Sequence, residues 1–159
     1  PSRELGWGMA VTIRTATLAD VAVLREFEQG IVAAERPFDP TLADDPIRYY
    51  DIPALIESAS AEMCVAERDG RAIGCGHAQI RIPEPYLAHR EYVHLGLIYV
   101  RPEERGQGVS LLIVAALEAW AHARGVDEIR LEVYAENAAA VRAYEKAGFV
   151  QHMIVMRRA

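Results

Sequence analysis

The 159-residue chain has only two cysteines, a single lysine and no long run of apolar residues. Its longest uninterrupted apolar run, Leu111 to Leu117, is far shorter than the roughly 20 residues that span a bilayer. No basic-then-apolar leader opens the chain, so we expect a cytoplasmic protein that is not bound to a membrane. The 17 basic and 23 acidic residues give a net charge of −6, which argues against nucleic-acid binding by general phosphate attraction.

The two cysteines, Cys64 and Cys75, lie on either side of a predicted turn at Asp69-Gly70. A two-residue hairpin loop there would place Cys64 opposite Cys75 in a hydrogen-bonded pair, whose Cα atoms are about 5.5 Å apart and whose side chains diverge. We therefore expect two small buried thiols rather than a disulfide. Without CxxC spacing, and with five scattered histidines, the sequence also predicts no metal site.

Length and composition are those of one globular domain, with 52% apolar and 25% charged residues. Residues 1–8 show no periodicity and Met9 would make a natural start, so we treat 1–8 as an N-terminal extension and 9–159 as a single domain.

Apolar periodicity and turn residues predict a mixed α/β domain in the order β α α β β β α β α β. Gly96, inside the most strand-like stretch, suggests a bulge or a close backbone approach. The predicted elements are a strand over 11–15, a helix opened by a capping box at 17–20, a short helix over 52–59, hairpin arms over 63–67 and 72–82, a strand over 92–100, a helix over 109–124, a strand over 128–134, a helix capped by Asn137 and ended by Gly148, and a last strand over 149–157.

A strand, a glycine-containing turn and a helix over 97–117 carry the strongest chemical signal. The start of a helix leaves free N–H groups and a partial positive charge, so it can hold an anion. Gly106 and Gly108 lack the Cβ atoms that would keep a bulky phosphate from the backbone, and Arg105 adds a guanidinium. Such a turn suits a pyrophosphate; the alternative is a purely structural helix start.

Two other nucleotide sites are excluded by the residues around this turn. A P-loop needs Gly-Lys-Ser/Thr, and the one lysine, Lys146, lies far from the turn. A Rossmann site needs a third glycine-like position and an early βαβ unit, and the sequence has neither.

The turn and its surroundings resemble the GCN5-related N-acetyltransferase (GNAT) family, whose members bind acetyl-coenzyme A (acetyl-CoA). The family signature Arg/Gln-x-x-Gly-x-Gly/Ala is read here as Arg105 to Ser110, with Ser110 in place of the usual small apolar residue. The strand ending Tyr99-Val-Arg-Pro102 and the block from Asn137 to Phe149 also match the family pattern. The resemblance implies a mostly antiparallel twisted sheet with flanking helices, whose strands splay apart at the acetyl-CoA site.

The resemblance also implies which residues hold acetyl-CoA. Backbone groups of the strand end would pair with the pantetheine arm, amides of the turn would hold the pyrophosphate, and Asn137 would contact pantetheine or only cap its helix. The implied binding residues are Ile98, Tyr99, Val100, Arg105, Gly106, Gln107, Gly108, Val109, Ser110, Asn137 and Tyr144.

Three residues are candidates for catalysis of acetyl transfer to a primary amine. Tyr144 would protonate the departing sulfur; the alternative is a tyrosine that only packs its ring on the core. An alkyl ammonium is neutral in about one molecule in a thousand at pH 7, so removing its proton costs about 4 kcal/mol unless a base or a water relay assists. His94 and Glu91 are the candidates for that base, and a structural histidine is the alternative for His94.

The acceptor site in this family is built by the first helices and their loop. Here that segment, 35–57, carries six acidic residues against two arginines, and Tyr49 and Tyr50 lie within it. Carboxylates there would attract a cationic small-molecule or peptide amine, unless they form only a solvated surface. We expect an N-acetyltransferase acting by direct attack in a ternary complex. The alternatives are a non-catalytic acyl-CoA-binding regulatory module and acetylation of a protein N-terminus or lysine. Dimers are common in the family, so a homodimer is compatible with the resemblance.

Overall fold

The computed structural model describes residues 10–159, so the predicted extension 1–8 lies outside the described residues. The described chain forms a mixed α/β domain in which the predicted capping box is present: the Thr17 backbone N–H donates to the Asp20 carboxylate at 2.7 Å. The strands and helices are β1 (Thr12–Thr15), α1 (Val21–Glu35), α2 (Ile52–Glu57), β2 (Ala61–Arg68), β3 (Arg71–Arg81), β4 (Tyr92–Val100), α3 (Val109–Ala123), β5 (Ile129–Arg130) and α4 (Ala138–Lys146).

The five strands form one sheet in the order β1-β2-β3-β4-β5. The first four are antiparallel, and β5 runs parallel to β4 but pairs with it only at Val93 and His94. Beyond His94 the two strands separate, while the other edge of β4 stays paired with β3 as far as Val100. The predicted mostly antiparallel sheet with splayed strands is therefore confirmed.

The helices cover the two faces of this sheet with separate apolar clusters. On one face α1 and α2 bury Leu24, Phe27 and Ile52. On the other face α3 buries Ile113 and Leu117. Each such side chain removed from water contributes about 1.5–3 kcal/mol, so both faces hold the sheet in place.

A bulge in β4 bends the strand where it leaves β5. The register between β3 and β4 shifts by one residue between the Tyr99 and Gly96 pairs, and Leu97 has a φ of +50°. At Gly96, a Cβ atom would lie 2.5 Å from both the His77 ring and the Tyr50 hydroxyl. The sequence predicted a bulge or a close approach near this glycine, and the structure has both.

The predicted pairing of Cys64 with Cys75 is wrong. A register shift between Ala66 and Glu67 places Cys64 opposite Gly76 and Val65 opposite Cys75, so the two thiols point to opposite faces of the sheet. Both cysteines are free and buried, as expected, and burial raises the pKa of Cys64 to about 12. The Cys75 thiol donates a hydrogen bond to the carbonyl of Leu97 at 3.1 Å.

Two predicted strands near the C-terminus are also corrected. The strand over 128–134 is reduced to the two residues of β5, and the segment 149–157 is irregular rather than a strand. A strand needs a partner edge, and in the described chain no ladder forms with 149–157. Phe149 packs against the core, and the apolar side chains after it are 78–90% exposed: Ile154, Met153, Val150, Val155 and Met156. The segment ends beside the loop after α1, where Arg157 contacts Asp39 and Thr41 at 3.3 Å.

A fully buried histidine should make the fold sensitive to acid. Burial, followed by the charges of His94 and Arg81, lowers the pKa of His77 to about 3. Because the unfolded chain binds this proton near pH 6.5, His77 stabilises the fold above that pH and the stabilisation is lost as the pH falls toward 3. We expect the free energy of unfolding of His77→Gln, measured by urea denaturation, to depend less on pH than that of the wild type between pH 6.5 and 4. The difference in slope should be up to about 1.4 kcal/mol per pH unit. Equal slopes for variant and wild type would contradict this.

Candidate active site

A cavity of about 390 Å³ opens where β4 leaves β5. The end of β4, the turn before α3, the inner side of α4 and the last turn of α1 bound this central cavity. It brings together ten of the eleven residues predicted to hold acetyl-CoA: Ile98, Tyr99, Val100, Arg105, Gly106, Gly108, Val109, Ser110, Asn137 and Tyr144. The remaining one, Gln107, does not line the cavity, and its side-chain oxygen accepts a hydrogen bond from Arg68 at 3.2 Å.

The open edge of β4 forms one wall of the central cavity. Because β5 pairs only with Val93 and His94, the backbone groups of Ile98 and Val100 face the cavity rather than another strand. Arg105 is exposed but contacts this strand: its Nε donates to the Val100 carbonyl at 2.9 Å, and its guanidinium lies 5.6 Å from the centre of the Tyr99 ring. An extended ligand could therefore add to this edge as a further strand.

The turn before α3 is shaped to admit a bulky anion. Gly106 and Gly108 have φ values of +76° and +78°, which L-residues with a side chain rarely adopt. No atom lies within 4 Å of the place where a Cβ would stand on either glycine, so the space beside them is open. Gly108 caps α3, whose first N–H groups have no partner within the helix. These residues fit a pyrophosphate, and with the β4 edge they fit acetyl-CoA.

Asn137 begins α4 at the edge of the cavity. Its side-chain oxygen accepts a hydrogen bond from the Ala140 backbone N–H at 3.3 Å, which is the helix-capping role foreseen as one alternative. The side chain also lines the cavity, so capping does not remove it from a ligand's reach.

Tyr144, on the inner side of α4, places a phenol in the cavity wall. Its ring packs edge-on against Phe149 with centroids 6.1 Å apart. Among residues 10–159 no side chain or backbone group is hydrogen-bonded to its hydroxyl. Burial, then the charge of Glu35 and the neighbouring Tyr50, raises the pKa of Tyr144 to about 12. The hydroxyl therefore keeps its proton at neutral pH and has it available for donation.

The two predicted bases, His94 and Glu91, do not line the central cavity. His94 is buried on the sheet face that α1 and α2 cover, with its ring 6.0 Å from that of His77. Burial and the charge of Arg81 lower the pKa of His94, so it is neutral at pH 7. Glu91 is exposed and precedes β4. The structure thus separates both residues from the wall that holds Tyr144.

Sequence analysis missed several residues that close the cavity from the side of α1. Phe38 stacks on Tyr134 with ring centroids 6.3 Å apart, and the Tyr134 hydroxyl donates to Asp39 at 3.0 Å. Glu35, the last residue of α1, also lines the cavity. No motif marks these positions. The only signal was the acidic composition of 35–57, which did not single out one residue.

Two other kinds of site are absent from the part of the chain that the structure describes. Within residues 10–159, histidine, cysteine, aspartate and glutamate side chains form no group of three that could hold a metal ion. No helix in that range is long and apolar enough to cross a membrane.

Comparisons with known proteins agree with this geometry. Residues 24–149 match the family described as Acetyltransferase (GNAT) family. An aminoglycoside N(6')-acetyltransferase type 1 from Stenotrophomonas maltophilia is 29% identical over 143 residues, which cover 88% of this chain and 86% of that protein. A mycothiol acetyltransferase from Thermobispora bispora is 42% identical over 87 residues, which cover 55% of this chain but 29% of that longer protein.

Among solved structures, an acetyltransferase from Clostridium acetobutylicum with acetyl-CoA superposes with a TM-score of 0.71 at 16% identity, covering 94% of this chain and 96% of that one. This likeness supports the fold. The family match over most of the chain supports more: the chain belongs to the GNAT family of acetyltransferases. It is an N-acetyltransferase, and the resemblance noted in its sequence is confirmed.

Proposed function

We propose that the chain transfers an acetyl group from acetyl-CoA to a primary amine of a small molecule by direct attack within a ternary complex. The observation that carries this proposal is that one cavity joins the open edge of β4, the glycine turn before α3 and the hydroxyl of Tyr144. The same wall thus offers a backbone edge for an extended arm, amides for phosphates and a proton donor. Relatives that act on aminoglycosides support a small-molecule acceptor.

Each part of the cavity has a distinct task in this proposal. The β4 edge at Ile98 and Val100 orients the pantetheine arm, and the amides of 105–110 hold the pyrophosphate. When bound there, acetyl-CoA supplies an activated acetyl thioester. Tyr144 donates its proton to the sulfur that leaves, which makes the sulfur a better leaving group. Neither cysteine is a nucleophile here, because both thiols are buried with raised pKa values.

Release of free thiol from acetyl-CoA with a panel of amines tests this function. The panel contains neamine, spermidine, tyramine and a short peptide with a free N-terminus. We expect thiol release that depends on both the amine and the protein, with a small-molecule amine preferred over the peptide. Preference for the peptide would favour the alternative of N-terminal or lysine acetylation. Stabilisation by acetyl-CoA without turnover of any amine would instead favour the non-catalytic binding module.

A further inference from the structure

Glu35 is half-buried and lies in the wall of the central cavity. Within residues 10–159 its carboxylate forms no ion pair. Its Oε2 accepts a hydrogen bond from the Tyr49 hydroxyl at 2.9 Å. Its acidic neighbours differ: Asp39 is bound by Thr41, Tyr134 and Arg157, and Glu104 is paired with Arg68 at 3.1 Å. Glu35 therefore keeps one carboxylate oxygen available to a ligand.

The position of Glu35 is unfavourable for the helix that carries it. A helix C-terminus carries partial negative charge and favours cations, yet Glu35 ends α1 and no basic residue lies in its last turn. Burial removes further water from the same carboxylate. Residues that oppose local structural preference in this way occur mainly at functional sites.

Electrostatics around Glu35 make it a stronger base than an ordinary glutamate. Burial raises its pKa, the hydrogen bond from Tyr49 lowers it, and the charge of Asp39 raises it, with a net increase. The titratable groups that interact with this carboxylate are Asp39, Tyr49, Tyr50, Tyr134 and Tyr144. The other charged residues that line the same cavity are Glu104, Arg105 and Glu132.

We propose that Glu35, held in place by Tyr49, receives the ammonium group of the acceptor and takes up its proton, so that the acceptor is a cationic primary amine. This inference rests on the proposed function and assigns its missing base. A cationic group is attracted to the Glu35 carboxylate in the cavity wall, and the same carboxylate that binds the ammonium can remove its proton.

The protons balance in this scheme. The ammonium nitrogen loses one proton to Glu35, which becomes neutral, and the freed electron pair attacks the acetyl carbon as the carbon–sulfur bond breaks. The nitrogen then loses a second proton, which replaces the one that Tyr144 donates to the sulfur. Glu35 releases its proton to water, so one proton leaves per amide formed. Because the charge of Glu35 contributes to the raised pKa of Tyr144, neutralising Glu35 also makes Tyr144 a better acid.

The variant Glu35→Gln keeps the shape of the side chain and removes its charge. We expect kcat/KM for the best amine of the panel to fall on the order of 10²-fold, and binding of neamine and spermidine without acetyl-CoA, measured by calorimetry, to weaken. Stabilisation by acetyl-CoA should stay at the wild-type level. The matched control is Glu84→Gln, which removes the same charge from an exposed position in the loop between β3 and β4, outside the cavity, and should leave both quantities unchanged.

The pH profile separates a base from a merely structural carboxylate. Wild-type kcat/KM should rise with pH as Glu35 loses its proton, above the ordinary glutamate range, and fall when the amine becomes neutral. Tyr49→Phe removes the hydrogen bond that lowers this pKa, so the rising limb should move to higher pH. Glu35→Gln should lose the limb, whereas His94→Gln and Glu91→Gln should keep it.

Three results would overturn the assignment. The first is equal kcat/KM and amine binding in Glu35→Gln and Glu84→Gln. The second is a rising limb that disappears in His94→Gln or Glu91→Gln. The third is loss of acetyl-CoA stabilisation in Glu35→Gln, which would give the carboxylate a structural role. Failure of the proposed function looks different, because no amine would then be acetylated by the wild type. The calorimetric comparison of the two glutamine variants still decides the role of Glu35 in that case.

Discussion

Tyr144→Phe is expected to lower kcat about 10²-fold or more while leaving stabilisation by acetyl-CoA unchanged. The phenylalanine ring keeps the contact with Phe149 and removes only the hydroxyl, which has no hydrogen-bond partner within residues 10–159. The pKa of about 12 means that the wild-type hydroxyl is a proton donor throughout pH 6–9. The loss of rate should therefore be nearly constant over that range, as measured by thiol release.

The matched control for this variant is Tyr86→Phe, which removes a hydroxyl from a side chain that is 82% exposed and outside the cavity. It should retain wild-type turnover. Unchanged turnover in folded Tyr144→Phe would mean that water protonates the departing sulfur or that product release limits the rate. A single-turnover measurement distinguishes these two, since only slow release would hide a slower chemical step.

The part of the site that sequence could predict is the part built from local signals. A strand end, a glycine turn and a helix start follow one another between Leu97 and Val109, so their relative positions are set by neighbours in the chain. The bulge near Gly96 was also foreseeable, because a glycine inside an apolar strand marks a special backbone position. Tyr144 reaches the cavity because it lies one turn before the end of α4. The residue that caps this helix, Asn137, is only seven positions earlier in the chain, so the sequence marks both ends of the helix.

The part that could not be predicted depends on contacts between distant residues. Glu35 meets Tyr49 across a loop broken by prolines, and nothing in the sequence marks that pair. The hairpin register changes because β3 carries one extra residue, Ile73, opposite the step from Glu67 to Ala66, and every later partner moves by one. The strand expected over 149–157 has a suitable composition, but a strand forms only where an edge accepts it.

The two halves of the cavity therefore differ in how they are specified. The half formed by β4, α3 and α4 carries the family pattern and is the half that we propose holds acetyl-CoA. The half formed by the end of α1 and its loop carries charge and aromatic rings without a motif. In this chain it carries Glu35, Phe38 and Tyr49. We therefore expect substitutions in this second half to change which amine is acetylated, with little effect on acetyl-CoA binding.

Gly108→Asp should abolish stabilisation of the protein by acetyl-CoA. A ligand present at 100 times its Kd adds about 2.7 kcal/mol to the free energy of unfolding, which a thermal melt detects readily. Gly108 has open space where a Cβ would stand, at the cap of α3. An aspartate there places bulk and negative charge where the pyrophosphate is expected to bind, and its charge opposes that of the ligand.

Two controls separate this effect from backbone strain. Gly125→Asp introduces the same side chain at a φ of +74°, also with open space around the new Cβ, but after the end of α3 and outside the cavity. It should lower the melting temperature through the same left-handed conformation yet keep the full shift with acetyl-CoA. Gly108→Asn adds equal bulk without charge and should retain part of the shift. A wild-type shift in Gly108→Asp would show that the phosphates bind elsewhere and that the turn before α3 is a structural helix start.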